Sequence, residues 1–344
     1  MSPLTKGLSV SYVRRVAGGA IAALLAATVL AGCGTSASSD DGAKSSGPWS
    51  FVSGNGKTVK LDTTPKRIIA SGAEAAALIS FGIKPVGIYT NTKIKDDPNL
   101  KGLDLTGITI LGETWGEIDV EKAAALKPDL IVADWWPAEK AYSGLESGVK
   151  ASSKKLADLA PIVGVAQGDS IETLAQGYEK LAMSLGADVD DPKIAADKKA
   201  FETAKAAFKK AVAAKPGLSV LAVSPADDVL YLANPTYAPE LLDFQRWGLD
   251  VINPDKPDKG FPYWENLSWE NADKYQPDLL LIDDRSYAST LKQGEKQPTW
   301  NNIKAAKAKA YAPWPAYWMH TYGEYAKQLT QLTAAIEKAD ANLA

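Results

Sequence analysis

The stretch from Asp191 to Lys215, DPKIAADKKAFETAKAAFKKAVAAK, restricts the fold more than any other part of this chain. Asp190 or Asp191 supplies an N-cap oxygen, Pro192 suits the first helical position, and Pro216-Gly217 ends the pattern. Ile194, Phe201, Ala204, Phe208 and Val212 recur at helical spacing and make one apolar stripe, with lysines over the remaining surface. A helix over these residues runs about 37 Å, roughly the length of a small domain. It is either a strut between two lobes or a surface helix of one domain, and its flanks decide.

At 344 residues the chain exceeds what one hydrophobic core usually serves, so two lobes are expected. A formal charge of −3, without a basic cluster interleaved with aromatics, excludes a nucleic-acid surface. Ten tryptophans and thirteen tyrosines against six phenylalanines favour rings with a polar handle, a bias typical of binding surfaces. The single histidine, His320, and the single cysteine, Cys33, exclude an internal disulfide, a His/Cys zinc site and a Cys/His catalytic pair.

Cys33 is explained by its position. Arg14 and Arg15 precede an apolar run from Val16 to Ala31, too short to span a membrane and built like a secretory signal over residues 1–32. Leu30-Ala31-Gly32-Cys33 resembles the bacterial lipobox, which implies cleavage before Cys33 and lipidation of its sulfur. Residues 33–48 are then a flexible tether of Gly, Ser, Ala, Thr, Asp and Lys, holding an extracytoplasmic protein at the cell membrane. The paired arginines leave general secretion and twin-arginine export both open.

Before the long helix, apolar runs at Arg67–Ala70, Pro85–Tyr89, Ile108–Leu111, Asp129–Ala133 and Pro161–Val165 read as strands covered on both faces. Helical patterns at Ala73–Phe81, Asp119–Leu126, Val149–Leu159 and Ile171–Leu185 lie between several of them, the alternation of a parallel, doubly wound lobe. After the long helix the alternation restarts. Leu218–Val223, Val229–Ala233, Asp278–Asp284 and Ala310–Pro313 read as strands, Tyr237–Trp247 as a helix, and an amphipathic helix closes the chain from about Gly323. Ile118-Asp119-Val120-Glu121 leading to Lys127-Pro128-Asp129-Leu130 is echoed at the same spacing by Leu267-Ser268-Trp269-Glu270 leading to Gln276-Pro277-Asp278-Leu279. Asp119 and Ser268 each stand where a short helix is capped, and Pro128 and Pro277 where it ends. The echo decides for two similar α/β lobes, residues 49–187 and 216–344, joined by one helix over 188–215.

Several pieces of the chain are similar to the siderophore- and cobalamin-binding lipoproteins of bacterial ABC importers. They are the lipobox at Cys33, Pro65-Lys66-Arg67-Ile68-Ile69, Phe81-Gly82-Ile83-Lys84-Pro85-Val86-Gly87, Leu126-Lys127-Pro128-Asp129-Leu130-Ile131 and the central helix. The resemblance implies two doubly wound lobes on a rigid helical backbone, a ligand cleft between them, no resident cofactor and delivery to a permease by a monomer. It also implies one docking glutamate per lobe. The usual first position, six residues before Gly82, is Ala76, with Glu74 two residues earlier; in the second lobe Glu240 of Pro239-Glu240-Leu241-Leu242 fits the pattern.

Ligands of open α/β sheets sit beyond the carboxyl ends of the strands. Those ends present Tyr89, Trp115, Trp135, Trp136, Arg285 and Tyr287, while the runs Phe261-Pro262-Tyr263-Trp264 and Trp314-Pro315-Ala316-Tyr317-Trp318 add Trp264, Tyr317 and Trp318. Adjacent side chains on an extended segment point to opposite sides, so one of Trp135 and Trp136 is expected to face outward. A ferric catecholate is strongly anionic and needs several converging cations. Beyond the signal segment the arginines are Arg67, Arg246 and Arg285, and of these Arg285 alone stands at a strand end. A ferrioxamine-like ferric hydroxamate, whose iron is held by the siderophore, is therefore expected, with cobalamin, haem or another siderophore class as alternatives.

An enzyme is disfavoured. There is no Gly-x-Ser-x-Gly elbow, and Gly54-Asn55-Gly56-Lys57-Thr58 misses the phosphate loop because Phe51 stands where its first glycine belongs. A sugar binder would use tryptophans equally well, but its lobes are usually crossed by several strands. The scarcity of histidine speaks against capture of a bare metal ion.

Overall fold

A computed structural model describes residues 47–168, 170–316 and 320–343. The signal segment, Cys33, nearly all of the tether, Tyr317 and Trp318 lie outside the described residues.

The first lobe is built on a five-stranded sheet in the order Thr109–Glu113, Gly87–Thr90, Ile68–Ser71, Leu130–Val132, Ile162–Val163, with every pairing parallel. Its central strands are buried along their whole length, which is why their sequences are apolar without alternation. Helices Gly72–Ser80 and Ile171–Ser184 cover one face; Val120–Ala125 covers the other with the segment read as one helix over Val149–Leu159. That segment divides into an α-turn, Ala151–Lys154, and a 3-10 turn, Lys155–Asp158. Two antiparallel hairpins escape the apolar-run reading: Trp49–Val52 with Thr58–Leu61, and Trp135–Trp136 with Ala141–Tyr142. The glycine-rich Gly54–Thr58 segment is the turn of the first of these. Gly54 N donates to Gly164 O at 2.7 Å, and a Cβ on Gly54 would lie 2.3 Å from Ala166 N, so only glycine fits there.

The second lobe has a mixed sheet. Ser219–Pro225 is central, with Leu279–Asp283 and then Tyr311–Trp314 parallel on one side, and Leu230–Ala233 and then Trp264–Leu267 antiparallel on the other. The antiparallel half follows from the short link after Pro225, closed by Ala226 N donating to Val229 O at 2.9 Å; a parallel crossover needs a dozen residues or more. The echoed motif diverges in detail. Asp119 accepts from Lys122 N at 2.8 Å and caps Val120–Ala125, whereas Ser268 caps nothing with its side chain and instead accepts from Asn271 Nδ2 at 3.0 Å before a 3-10 turn.

The connecting helix is Pro192–Ala213, capped by Asp191 and followed by Gly217 at φ +81°. Its buried stripe is Ile194, Phe201, Ala204, Phe208, Ala211 and Val212. The C-terminal helix, Tyr322–Lys338, lies along it, with Phe201 stacked on Tyr325 at 5.3 Å, and Phe208 meets Phe244 of the second lobe at 5.3 Å. One continuous apolar core therefore runs from the first sheet through this helix into the second. Among the described residues no strand is shared by the two sheets.

Candidate functional site

Between the two sheets lies a cleft of about 800 Å³, the size that encloses a drug-sized ligand. The first lobe contributes Trp115, in the turn after strand Thr109–Glu113, and Trp136, in the hairpin after Leu130–Val132. From the second lobe come Tyr237, closing the 3-10 turn Pro235–Tyr237, the loop residues Phe261 and Tyr263, Trp264 at a strand start, Trp314 at a strand end, and Arg285. Tyr263 is the hub. Its ring meets Trp136 across the cleft at 5.9 Å, Tyr237 at 5.1 Å and Phe261 at 4.7 Å, distances of favourable aromatic pairing. Trp136 is oriented by Nε1 donating to Ser143 Oγ at 2.8 Å. Gly148, at φ +90°, lets the Trp115 ring lie against its backbone; a Cβ there would stand 3.0 Å from the indole. Trp115 remains 49% exposed and Phe261 52%, large apolar faces that open solvent does not reward.

The lining is richer in acids than in bases. Glu139, Glu146 and Glu240 face Lys259 and Arg285. Arg285 is already engaged: its Nε lies 3.0 Å from both oxygens of Asp283, Nη2 bonds the same carboxylate, and Ser224 Oγ donates to it at 2.8 Å. Next to this pair, burial and the Asp283 charge push Asp284 up to about 7. Glu240 is driven to about 8 by burial, against the opposing hydrogen bonds of its own backbone N–H and of Trp314 Nε1 at 3.0 Å. Burial, then the charges of Glu139, Tyr237 and Glu146, raise Tyr263 to about 12.

Of the residues singled out from sequence, Trp115, Trp136, Trp264 and Arg285 meet in this cleft. Tyr89 does not: it is buried, and its hydroxyl donates to Ser143 O at 2.7 Å. Trp135 is outside the cleft lining and packs on Tyr142 at 5.0 Å. Tyr287 begins the helix Tyr287–Glu295 and packs against the second lobe's outer core. Tyr317 and Trp318 are outside the described residues. Tyr237, Glu139, Glu146 and Lys259 were missed; Tyr237 sits in a short 3-10 turn without the apolar strand that marks the other sites.

The docking assignment needs correction. Glu74 and Glu240 are each 3% exposed, so neither presents a carboxylate to a permease in this conformation. Glu240 lines the cleft. Glu74 belongs to a buried polar centre: it accepts from Asp134 N at 2.8 Å and from the Ser71 hydroxyl. Asp134 accepts from Gln167 Nε2 at 2.6 Å and from the Tyr178 hydroxyl, and His320 Nε2 lies 2.6 Å from its Oδ2. Donor atoms of Glu74, Asp134 and His320 lie within 4.8 Å of one another, a spacing an ion could bridge, yet both Asp134 oxygens are filled by protein groups. Burial, followed by the Asp134 charge, pushes Glu74 up to about 7.

A two-lobed α/β body hinged on one helix with a ring-lined cleft is the architecture of a solute-binding protein. The family model for periplasmic binding proteins matches residues 71–317, and the chain belongs to that family. It resembles the crystal structure of DesE, a ferric-siderophore receptor protein from Streptomyces coelicolor, at 33% identity and TM-score 0.76, over 85% of this chain and 99% of that one. FhuD2 from Staphylococcus aureus with bound ferrioxamine B shares the fold at 23% identity and TM-score 0.53, over 79% of this chain and 98% of that one. The Fe(3+)-citrate-binding protein YfmC of Bacillus subtilis is 27% identical over 83% of this chain and 84% of its own length. Family and neighbours alike are substrate-binding proteins, so this chain is a binding protein and not an enzyme.

Proposed function

We propose that the chain captures a ferric siderophore in the inter-lobe cleft and delivers it to the permease of an ABC importer, as a monomer anchored outside the cell membrane through lipidated Cys33. The ligand is a ferric hydroxamate of the ferrioxamine type. Relatives named as a ferric-siderophore receptor protein and as a probable siderophore-binding lipoprotein support the general reading. The hydroxamate assignment rests on one observation: the cleft is paved with aromatic rings and edged by Glu139 and Glu146, while its arginine is already paired with Asp283. Ring faces suit the hydrocarbon linkers of a hydroxamate, and an acid-rich lining accepts a neutral or cationic complex and repels an anionic one.

Ferric citrate is the second reading, favoured by the likeness to YfmC. It requires an anionic complex to be held with Lys259 as the cleft's unengaged cation among the described residues. Tryptophan fluorescence separates the two. Titration with ferrioxamine B is expected to quench the emission saturably, and ferric citrate and a ferric catecholate to leave it unchanged. Quenching by either anionic complex without quenching by any ferric hydroxamate would overturn the assignment.

A further inference from the structure

Glu240 begins the helix Pro239–Arg246 as its second residue and sets its carboxyl in the cleft wall at 3% exposure. Oε1 accepts the Trp314 indole N–H at 3.0 Å, and the residue's own backbone N–H is the other hydrogen-bond donor to the carboxyl. Around it stand Asp243 on its own helix, Asp284 beyond the strand Leu279–Asp283, and Tyr325 on the C-terminal helix. These groups are neutral or acidic. The cations lining the same cleft are Lys259 and Arg285, the latter held by Asp283, and Glu240 forms no ion pair among the described residues.

A buried carboxylate without a cation is costly, and the group avoids the cost by keeping its proton. With its midpoint at about 8, Glu240 is mostly the neutral acid at pH 7. Trp314 holds Oε1 as an accepting oxygen, so the proton belongs on Oε2 of this cleft-lining residue.

We propose that Glu240 is a specificity-determining residue of the cleft, a neutral carboxylic acid whose O–H donates a hydrogen bond to a carbonyl or hydroxamate oxygen of the bound ligand. The proposal rests on the siderophore reading and adds to it a donor that neither composition nor an arginine supplies. A site built around a buried donor rejects ligands that offer no acceptor at that point, because the donor is then left unsatisfied.

The test uses the whole chain, wild type beside Glu240→Gln and Glu240→Leu, with the Kd for ferrioxamine B measured calorimetrically from pH 6 to pH 9. Gln keeps both parts of the geometry, an oxygen for Trp314 and an N–H for the ligand; Leu keeps only the volume. With the midpoint at about 8, the protonated fraction falls about tenfold between pH 7 and pH 9, and the wild-type Kd is expected to rise by the same factor. Glu240→Gln is expected to match wild type at pH 7 and to stay flat to pH 9, and Glu240→Leu to bind about tenfold or more weakly at every pH. Thermal melts that match wild type exclude misfolding as the cause. A flat wild-type profile, an affinity that rises with pH, or a Gln variant as weak as the Leu variant would overturn the proposal alone. Failure of every ferric complex to bind would overturn it together with the functional reading.

Discussion

Glu74 and Glu240 are matched in sequence setting and depth: each lies in the first turn of a helix, each is 3% exposed, and burial raises each, to about 7 and about 8. Their surroundings differ. Glu74 is closed in by the Ser71 hydroxyl, the Asp134 amide and the Asp134–His320 pair, with Tyr178 and Gln167 completing the shell. Glu240 has the Trp314 indole N–H, its own backbone N–H and the cleft. Burial is common to a structural carboxyl and a ligand-binding one; the difference lies in whether protein groups satisfy every oxygen. The first centre ties distant parts of the chain together, joining Asp134, just past strand Leu130–Val132, to His320, two residues before the C-terminal helix. The second leaves bonding capacity for a guest.

Four experiments press on that contrast. Asp134→Ala strips the acceptor from Tyr178, Gln167 and His320 together, and is expected to cost about 3–5 kcal/mol in denaturant unfolding. A loss under about 1 kcal/mol would mean that the Glu74 centre is not a clamp. Trp136→Ala removes the ring that meets Tyr263 across the cleft, and is expected to weaken ferrioxamine B binding by about 10–100-fold with little change in melting temperature. An unchanged Kd would take the aromatic hub out of the site.

The third concerns pH. Glu74, Asp284 and Glu240 titrate at about 7, 7 and 8 in the native protein against ordinary values of 4.5, 3.8 and 4.5. The native state then holds protons that the unfolded chain has released, so their contribution is fully present below about pH 4 and is lost as pH rises through 7 to 8. Melting temperature is expected to fall from pH 5 to pH 8, and Glu74→Gln to flatten part of that slope. A melting temperature that climbs over the same interval would contradict the protonated assignment. The smallest effect is expected of Trp135→Ala: its ring packs on Tyr142 outside the cleft lining, so the Kd should change by less than about twofold, against the large loss at its neighbour.

Much of this architecture was legible before the structure. Doubly covered strands announce themselves as unbroken apolar runs, and the helix Pro192–Ala213 carries its Asp191 cap, Pro192 and Gly217 in plain view. The strand-end rule led to Trp115, Trp136 and Arg285, and the aromatic run from Phe261 led to Trp264, all of which line the cleft. It failed at Tyr89 because both faces of a parallel strand are buried, so nothing local tells which way its last residues turn. The outward member of the Trp135-Trp136 pair was undetermined for a related reason: alternation is visible in sequence, its phase is not. Glu74, Asp134 and His320 are 60 and 186 residues apart, and no spacing signals their meeting. The glutamates read as surface docking points turned inward because helix-start position says nothing about which side of a lobe the helix covers.

Crystals of the chain grown with ferrioxamine B, with data collected at the iron absorption edge, would test the central claim most directly. A single anomalous peak is expected in the cleft between Trp136 and Trp264, inside density for the hydroxamate and with Glu240 within hydrogen-bonding distance of one of its oxygens. An iron peak instead among Glu74, Asp134 and His320, with no siderophore density in the cleft, would contradict it.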